Sequence, residues 1–188
     1  MSAEVIGKTM PAVITLDDLT AMNAADAHGR RYETSAEGVL TIAPPPTIGH
    51  AVIASRLMAW LLTAGWPAEQ ILQVPGLRIP GPAGEGGRIP DLTVWSRPQP
   101  PAGVWQSAAD LLLVIEIVSP ASEGTDRVTK VTEYASAGIP QYWTVGRDAA
   151  NTVTLYRLNS GGDYDTAAQM PLAWLLKTSP EEYLGSAG

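Results

Sequence analysis

Two acids stand in apolar surroundings. Asp91 follows Ile89-Pro90 and precedes Leu92-Thr93-Val94-Trp95, and Glu116 interrupts the run Leu111 to Val118. A buried carboxylate without a partner costs several kcal/mol or takes up a proton, so each acid needs a counter-charge. A hard divalent ion is one answer: magnesium takes one or two carboxylates and fills its remaining positions with water and phosphate oxygens. Such an ion generates a hydroxide nucleophile and neutralises charge on a phosphodiester under attack. An ordinary ion pair is the other answer, with Arg78 or Arg88 as partner of Glu116 and a turn after Pro90 accounting for Asp91. An acid/base carboxylate pair of the glycosidase kind is a third, and six tryptophans would supply its sugar platforms. Residue types alone leave all three open.

Lys130 lies on the helical stretch after Glu116, one turn beyond Asp126 and one turn before Tyr134. It can polarise an attacking water or steady developing negative charge, or it can form a surface pair with Asp126. At roughly 100° per residue, Lys130 falls about 130° from a stripe of Val128, Val131 and Ala135, which sends it to solvent or a cleft.

These groups need a scaffold. A chain of 188 residues suffices for one domain with a sizeable core. The absence of cysteine removes disulfides, thiolate catalysis and zinc-thiolate sites, and two histidines, His28 and His50, are too few for a histidine-rich metal site. Any metal would be oxygen-ligated: magnesium, manganese or calcium. A net charge of −7 opposes a broad basic surface for nucleic acid but leaves room for a local cleft with bound cations. The N-terminus lacks a signal-peptide pattern and no apolar run reaches about 18 residues, so the expectation is a soluble, cytoplasmic protein with no membrane association.

Residues 1–14 carry little pattern and read as an arm. Thr15 and Asp18 have capping-box spacing at the head of a short helix ending near Gly29. Tyr32 to Ser35 and Val39 to Ile42 read as a hairpin turning at Glu37-Gly38. The stretch from Thr47 to Trp66 is the clearest helix, with Ile48, Val52, Ala59 and Leu62, and beside them Ile53, Leu57, Trp60 and Leu61, making a wide apolar face. A strand weakened by Pro75, a mobile glycine-rich loop "GPAGEGG", the Asp91 strand, a proline-rich loop and the Glu116 strand follow. Then come a helix with Thr125 as N-cap and Gly138 as stop, a strand pair "QYWTVGR" and "TVTLYRL" carrying the core aromatics Tyr142 and Trp143, and a last apolar segment. This order implies a mixed sheet with helices against it.

The stretches "RYETSAEGVLTIAPPPTIGH", "RIPDLTVW", "LLLVIEIVSPASEGTDRVTKVTEYASAGIPQYWTV" and "VTLYRL" resemble the Uma-two family of candidate restriction endonucleases, within the PD-(D/E)XK nuclease superfamily. The resemblance runs from about residue 30 to residue 160. It implies an α/β, restriction endonuclease-like fold: a mixed central β-sheet flanked by α-helices. The domain would be single, spanning 1–188, with its core at about 30–160, an N-terminal arm and helix at 1–29 and a C-terminal extension at 161–188. By the same resemblance Asp91 and Glu116 are the motif acids that hold Mg2+ or Mn2+, with the main-chain carbonyl of Ile117 as a further ligand. The superfamily often places lysine two residues after the second acid. Val118 stands there, and Lys130 on the next helix takes the role.

Glu33 resembles a further acid of the superfamily, although Gly38 follows it by five residues where the family commonly has four. His50 matches a histidine near the start of the family's first long helix, and Ser119 and Asp126 follow the family pattern as capping and positioning residues for Lys130. The implied activity is metal-dependent hydrolysis of phosphodiester bonds in DNA by a homodimer. A catalytically inactive nuclease fold, kept as a DNA-binding or protein-interaction module for an unidentified partner, is the alternative.

Overall fold

The computed structural model describes residues 13–82, 84–101, 103–119, 124 and 128–185. Helix α1 (Leu16–Ala25) starts as its spacing predicts. The Thr15 hydroxyl accepts the Asp18 N–H while the Asp18 carboxylate accepts the Thr15 N–H, so two otherwise orphaned groups are met at once. Strands β1 (Arg31–Thr34) and β2 (Leu40–Ala43) form the expected hairpin, with Gly38 at φ 84° in its turn. Helix α2 (Ile48–Thr63) follows, capped by Thr47.

Six strands then alternate between two sheets. They are β3 (Ile71–Gln73), β4 (Gly76–Gly81), β5 (Gly84–Arg88), β6 (Leu92–Trp95), β7 (Trp105–Gln106) and β8 (Leu111–Ile117). Helix α3 (Lys130–Ser136), β9 (Gln141–Val145), β10 (Thr152–Leu158), β11 (Tyr164–Pro171), α4 (Leu172–Leu175) and α5 (Glu181–Leu184) complete the chain.

The fold is α/β with helices against mixed sheets, and the strands divide between two sheets. One runs β2-β1-β5-β4-β7 and the other β11-β10-β9-β8-β6-β3. The chain changes sheet five times, and two of these transfers are short and contain a proline. Val74-Pro75 carries it from β3 into β4, with Val74 at φ 48°, and Ile89-Pro90-Asp91 carries it back from β5 into β6. Proline cannot donate to a ladder, so Pro75 and Pro90 interrupt pairing at these two transfers.

The six-stranded sheet is covered on both faces. Ile53, Leu57, Trp60 and Leu61 of α2 pack with Leu92, Val94, Leu113, Ile115 and Trp143 on one side. Leu77 and Ile79 of β4 and Tyr134 of α3 pack with Trp95, Val114 and Tyr142 on the other. A smaller cluster of Leu19, Tyr32 and Trp105 seats α1 on the first sheet. Trp143 and Tyr142 are fully buried, as core aromatics should be.

Strands β7 and β11 have no counterpart in the sequence reading, and three further elements depart from it. The glycine-rich stretch is not a mobile loop but the β4–β5 hairpin: a Cβ at Gly86 would lie 2.6 Å from the Ser35 carbonyl oxygen, so its glycine permits close backbone approach. On α2, Ile48 (85% exposed) and Val52 (50%) face outward, because hydropathy marks a wider stripe than one sheet can cover. On α3 the stripe is displaced. Val128 is exposed, and Lys130, Glu133 and Tyr134 are buried, because that face meets other charged groups and not hydrocarbon. The Thr125 cap lies outside the described residues. No helix among the described residues is long and apolar enough to cross a membrane.

Candidate functional site

Strands β6 and β8 pair antiparallel, with Leu92 across from Ile115 and Thr93 across from Val114. Continuing that register by one residue sets Asp91 across from Glu116. Side chains alternate along a strand. Leu92 and Val94 therefore enter the α2 cluster. Glu116 turns to the opposite face, where Lys130 and Tyr134 of α3 meet it. Asp91, just ahead of β6, meets Arg31 of β1 and His50 of α2. The Ile117 N–H donates to Asp91 Oδ2 at 2.8 Å, tying the two strands at the site itself.

Asp91 is 4% exposed. Its Oδ1 accepts from Arg31 Nη1 at 2.9 Å and lies 3.0 Å from His50 Nε2. Arg31 opens β1, and His50 sits in the first turn of α2. Burial by itself raises the Asp91 pKa, but the His50 hydrogen bond, the Arg31 charge and the Ile117 N–H outweigh it and hold the carboxyl below its ordinary value.

Glu116 Oε1 accepts from Lys130 Nζ at 2.7 Å and from the Tyr134 hydroxyl at 2.9 Å. Its partner is therefore Lys130. Arg78 pairs with Glu85 on the surface, and Arg88 makes a bidentate pair with Glu133 at 2.7 and 2.9 Å. Burial, reinforced by the Glu116 charge, holds the Tyr134 hydroxyl far above its ordinary pKa, so it stays a donor. Glu33 lies 3.6 Å from Lys130 Nζ, accepts the Ile89 N–H at 3.0 Å and meets Arg88 Nη1 at 3.4 Å. Glu133 accepts the Ala36 N–H at 2.8 Å. A continuous chain of buried charge thus runs from Glu133 through Arg88, Glu33 and Lys130 to Glu116.

Asp91, Glu116, Ile117, Lys130, Glu33, His50 and Ser119 all line one pocket of about 120 Å³. Asp126 lies outside the described residues. Sequence reasoning missed Arg31 and Arg147, which line the same pocket, and the Arg88–Glu133 pair behind it. Strand alternation carried a signal for Arg31, since Arg31 and Glu33 share a face of β1 across the intervening Tyr32. Arg147 follows β9 and donates to the Thr47 hydroxyl at 3.0 Å, a meeting of residues a hundred positions apart that leaves no local trace.

Among the described residues no group of three or more His, Asp or Glu side chains is set to hold a metal ion. The donors Asp91, Glu116 and the Ile117 carbonyl are nonetheless hard oxygens, and magnesium commonly rests on one or two carboxylates. A carboxylate offers about four lone-pair positions. Arg31, His50 and the Ile117 N–H occupy three on Asp91. The pocket, at about 120 Å³, far exceeds the 10–15 Å³ or so that a single water needs. The donor chemistry and the space fit such an ion.

The chain matches the family model Uma2, described as "Putative restriction endonuclease", over residues 16–182. It is similar to a solved structure described as "a putative nuclease belonging to DUF820" from Anabaena variabilis, with a TM-score of 0.59 and 21% identity over 78% of this chain and 82% of that one. At that identity the likeness is one of fold. No curated protein matches the chain.

Proposed function

The chain belongs to the Uma2 family, and from that premise we propose that it is a metal-dependent endonuclease hydrolysing phosphodiester bonds in DNA. The observation that carries this reading is the strand register that sets Asp91 across from Glu116, with Lys130 bonded to Glu116 at the wall of one pocket. Asp91, Glu116 and the Ile117 carbonyl would hold Mg2+ or Mn2+, which supplies Lewis acidity and an activated water when bound.

The protein's own groups do the positioning. Glu116 and Glu33 flank the Lys130 ammonium, which is 6% exposed, and their carboxylates offset the desolvation of its charge in a low-dielectric wall. From there it donates to the attacking water or to the scissile phosphate, where an aligned charge acts without reorganisation. Tyr134 fixes the other side of Glu116, and the Arg88–Glu133 pair fixes Glu33. His50 donates to Asp91 and orients it, and Ser119 lies at the pocket wall. A single-domain organisation, a homodimer with paired sites and a cytoplasmic location, where DNA is the substrate, belong to the same proposal.

One observation favours a second reading. Asp91 and Glu116 each meet protein donors already, so the acids stay compensated without any ion, as in a non-catalytic nuclease fold used for binding. Nicking of supercoiled plasmid with magnesium or manganese separates the two. Activity lost to chelator and to Asp91→Ala supports the enzyme. Folded protein that neither cuts nor binds a divalent ion supports the module.

A further inference from the structure

The contact between Arg31 and Asp91 is incomplete in a telling way. Arginine meets a carboxylate best through two parallel N–H bonds, yet only Nη1 reaches Asp91, and Nε is buried with no hydrogen-bond partner among the described residues. A buried donor left unmade is a standing cost of this pose. Arg88, deeper in the same protein, shows the satisfied alternative: its Nε and Nη2 both engage Glu133. Arg31 also lines the pocket, and its side chain is 21% exposed, so it has somewhere to go.

Charge balance says when it would move. Among the described residues, the carboxylates lining the pocket are Glu33, Asp91 and Glu116, and the arginines and lysines lining it are Arg31, Lys130 and Arg147, three against three. A divalent cation held by Asp91 would leave this set in excess by two positive charges and would compete with Arg31 for the carboxylate. The freed guanidinium then needs an anion, and its fork matches a phosphate. Resting on the nuclease reading above, we infer that Arg31 is an exchangeable counter-ion: it neutralises Asp91 in the ion-free protein and binds an oxygen of the substrate phosphate once the ion is in place. Arg147, whose bond at the pocket rim is to the neutral Thr47 hydroxyl, supplies a second cation for the same strand of phosphates.

A site that must first release an internal cation binds ions more weakly, by the fraction of time the acid is free. Calorimetry with Mn2+ alone on the full chain therefore gives the test. Arg31→Met tightens Mn2+ binding by about tenfold, and Arg31→Lys, which keeps a point charge, stays near the unsubstituted protein. Both variants raise KM for DNA, because neither has the fork. Should Arg31→Met fail to fold, NMR of the arginine Nε signals in the unsubstituted protein replaces it, with the Arg31 signal identified by its loss in Arg31→Lys. Saturating Ca2+ shifts that signal.

Ion binding that is unchanged in folded Arg31→Met, or an Arg31 signal unmoved by Ca2+, overturns the exchange and leaves the nuclease reading standing. Absence of ion binding in both proteins overturns the two together, and ion binding that appears only in Arg31→Met supports the exchange directly.

Discussion

Lys130 Nζ lies 2.7 Å from Glu116 Oε1, and both side chains are less than a tenth exposed. The pair joins the C-terminal end of a strand to the first residue of a helix fourteen positions later. In a protein interior such a pair is stable only while both halves are present, because either charge left alone keeps its desolvation cost.

Glu116→Gln or Lys130→Met alone should therefore cost about 3–5 kcal/mol of folding stability. The double variant should cost less than the sum of the two. Urea unfolding of the four proteins in chelator measures the coupling, and additive losses would contradict it.

Arg88 is fully buried, with Glu133 on two of its nitrogens and Glu33 on the third. Arg88→Met leaves two carboxylates facing each other without a cation and should destabilise by roughly 3–5 kcal/mol. In a variant that still folds, the loss of support for Glu33 should lower kcat for plasmid cleavage more than it raises KM.

Gly86→Ala should destabilise by about 1–3 kcal/mol, since the added methyl meets backbone that cannot turn aside. That backbone is the Ser35 carbonyl, 2.6 Å from the Cβ position. Thermal melting reads the change, and a neutral result would mean that the hairpin slides on β1.

Acid should weaken the ion-free protein through Asp91. Its folded pKa lies below the ordinary value, which is about 3.9 in an unfolded chain. The stabilisation is thus fully present above about pH 3.9 and is lost as pH falls through the folded value. Asp91→Asn lacks this term, so the stability difference between the two proteins should change with pH only below about pH 4. Urea midpoints between pH 7 and pH 3 would show it. An unchanging difference would mean that Arg31 and His50 do not hold the carboxylate.

Much of the site was legible because its signals are local. An acid inside an apolar strand is conspicuous at Glu116, and Pro90-Asp91 marks a second acid at the start of another strand. The Thr15–Asp18 cap and the hairpin turn at Gly38 are set by neighbours three or four residues apart, so their types suffice. Strand β11 left no such mark, since "YDTAAQMP" lies at a half-exposed edge and does not alternate.

Tertiary structure decided which charge answers which. Periodicity weighs each side chain by its preference for water, and that preference turned Lys130 outward. The folded chain buries it because Glu116 and Glu33 repay its desolvation, a balance struck between elements far apart in sequence. The same holds for Arg31 and Arg147, and for the transfers at Pro75 and Pro90 that divide the strands between two sheets. The sequence by itself determined which residues are able to do chemistry in this protein. Their partners followed from strand register and from charge compensation across the core, which exist only once the chain has closed on itself.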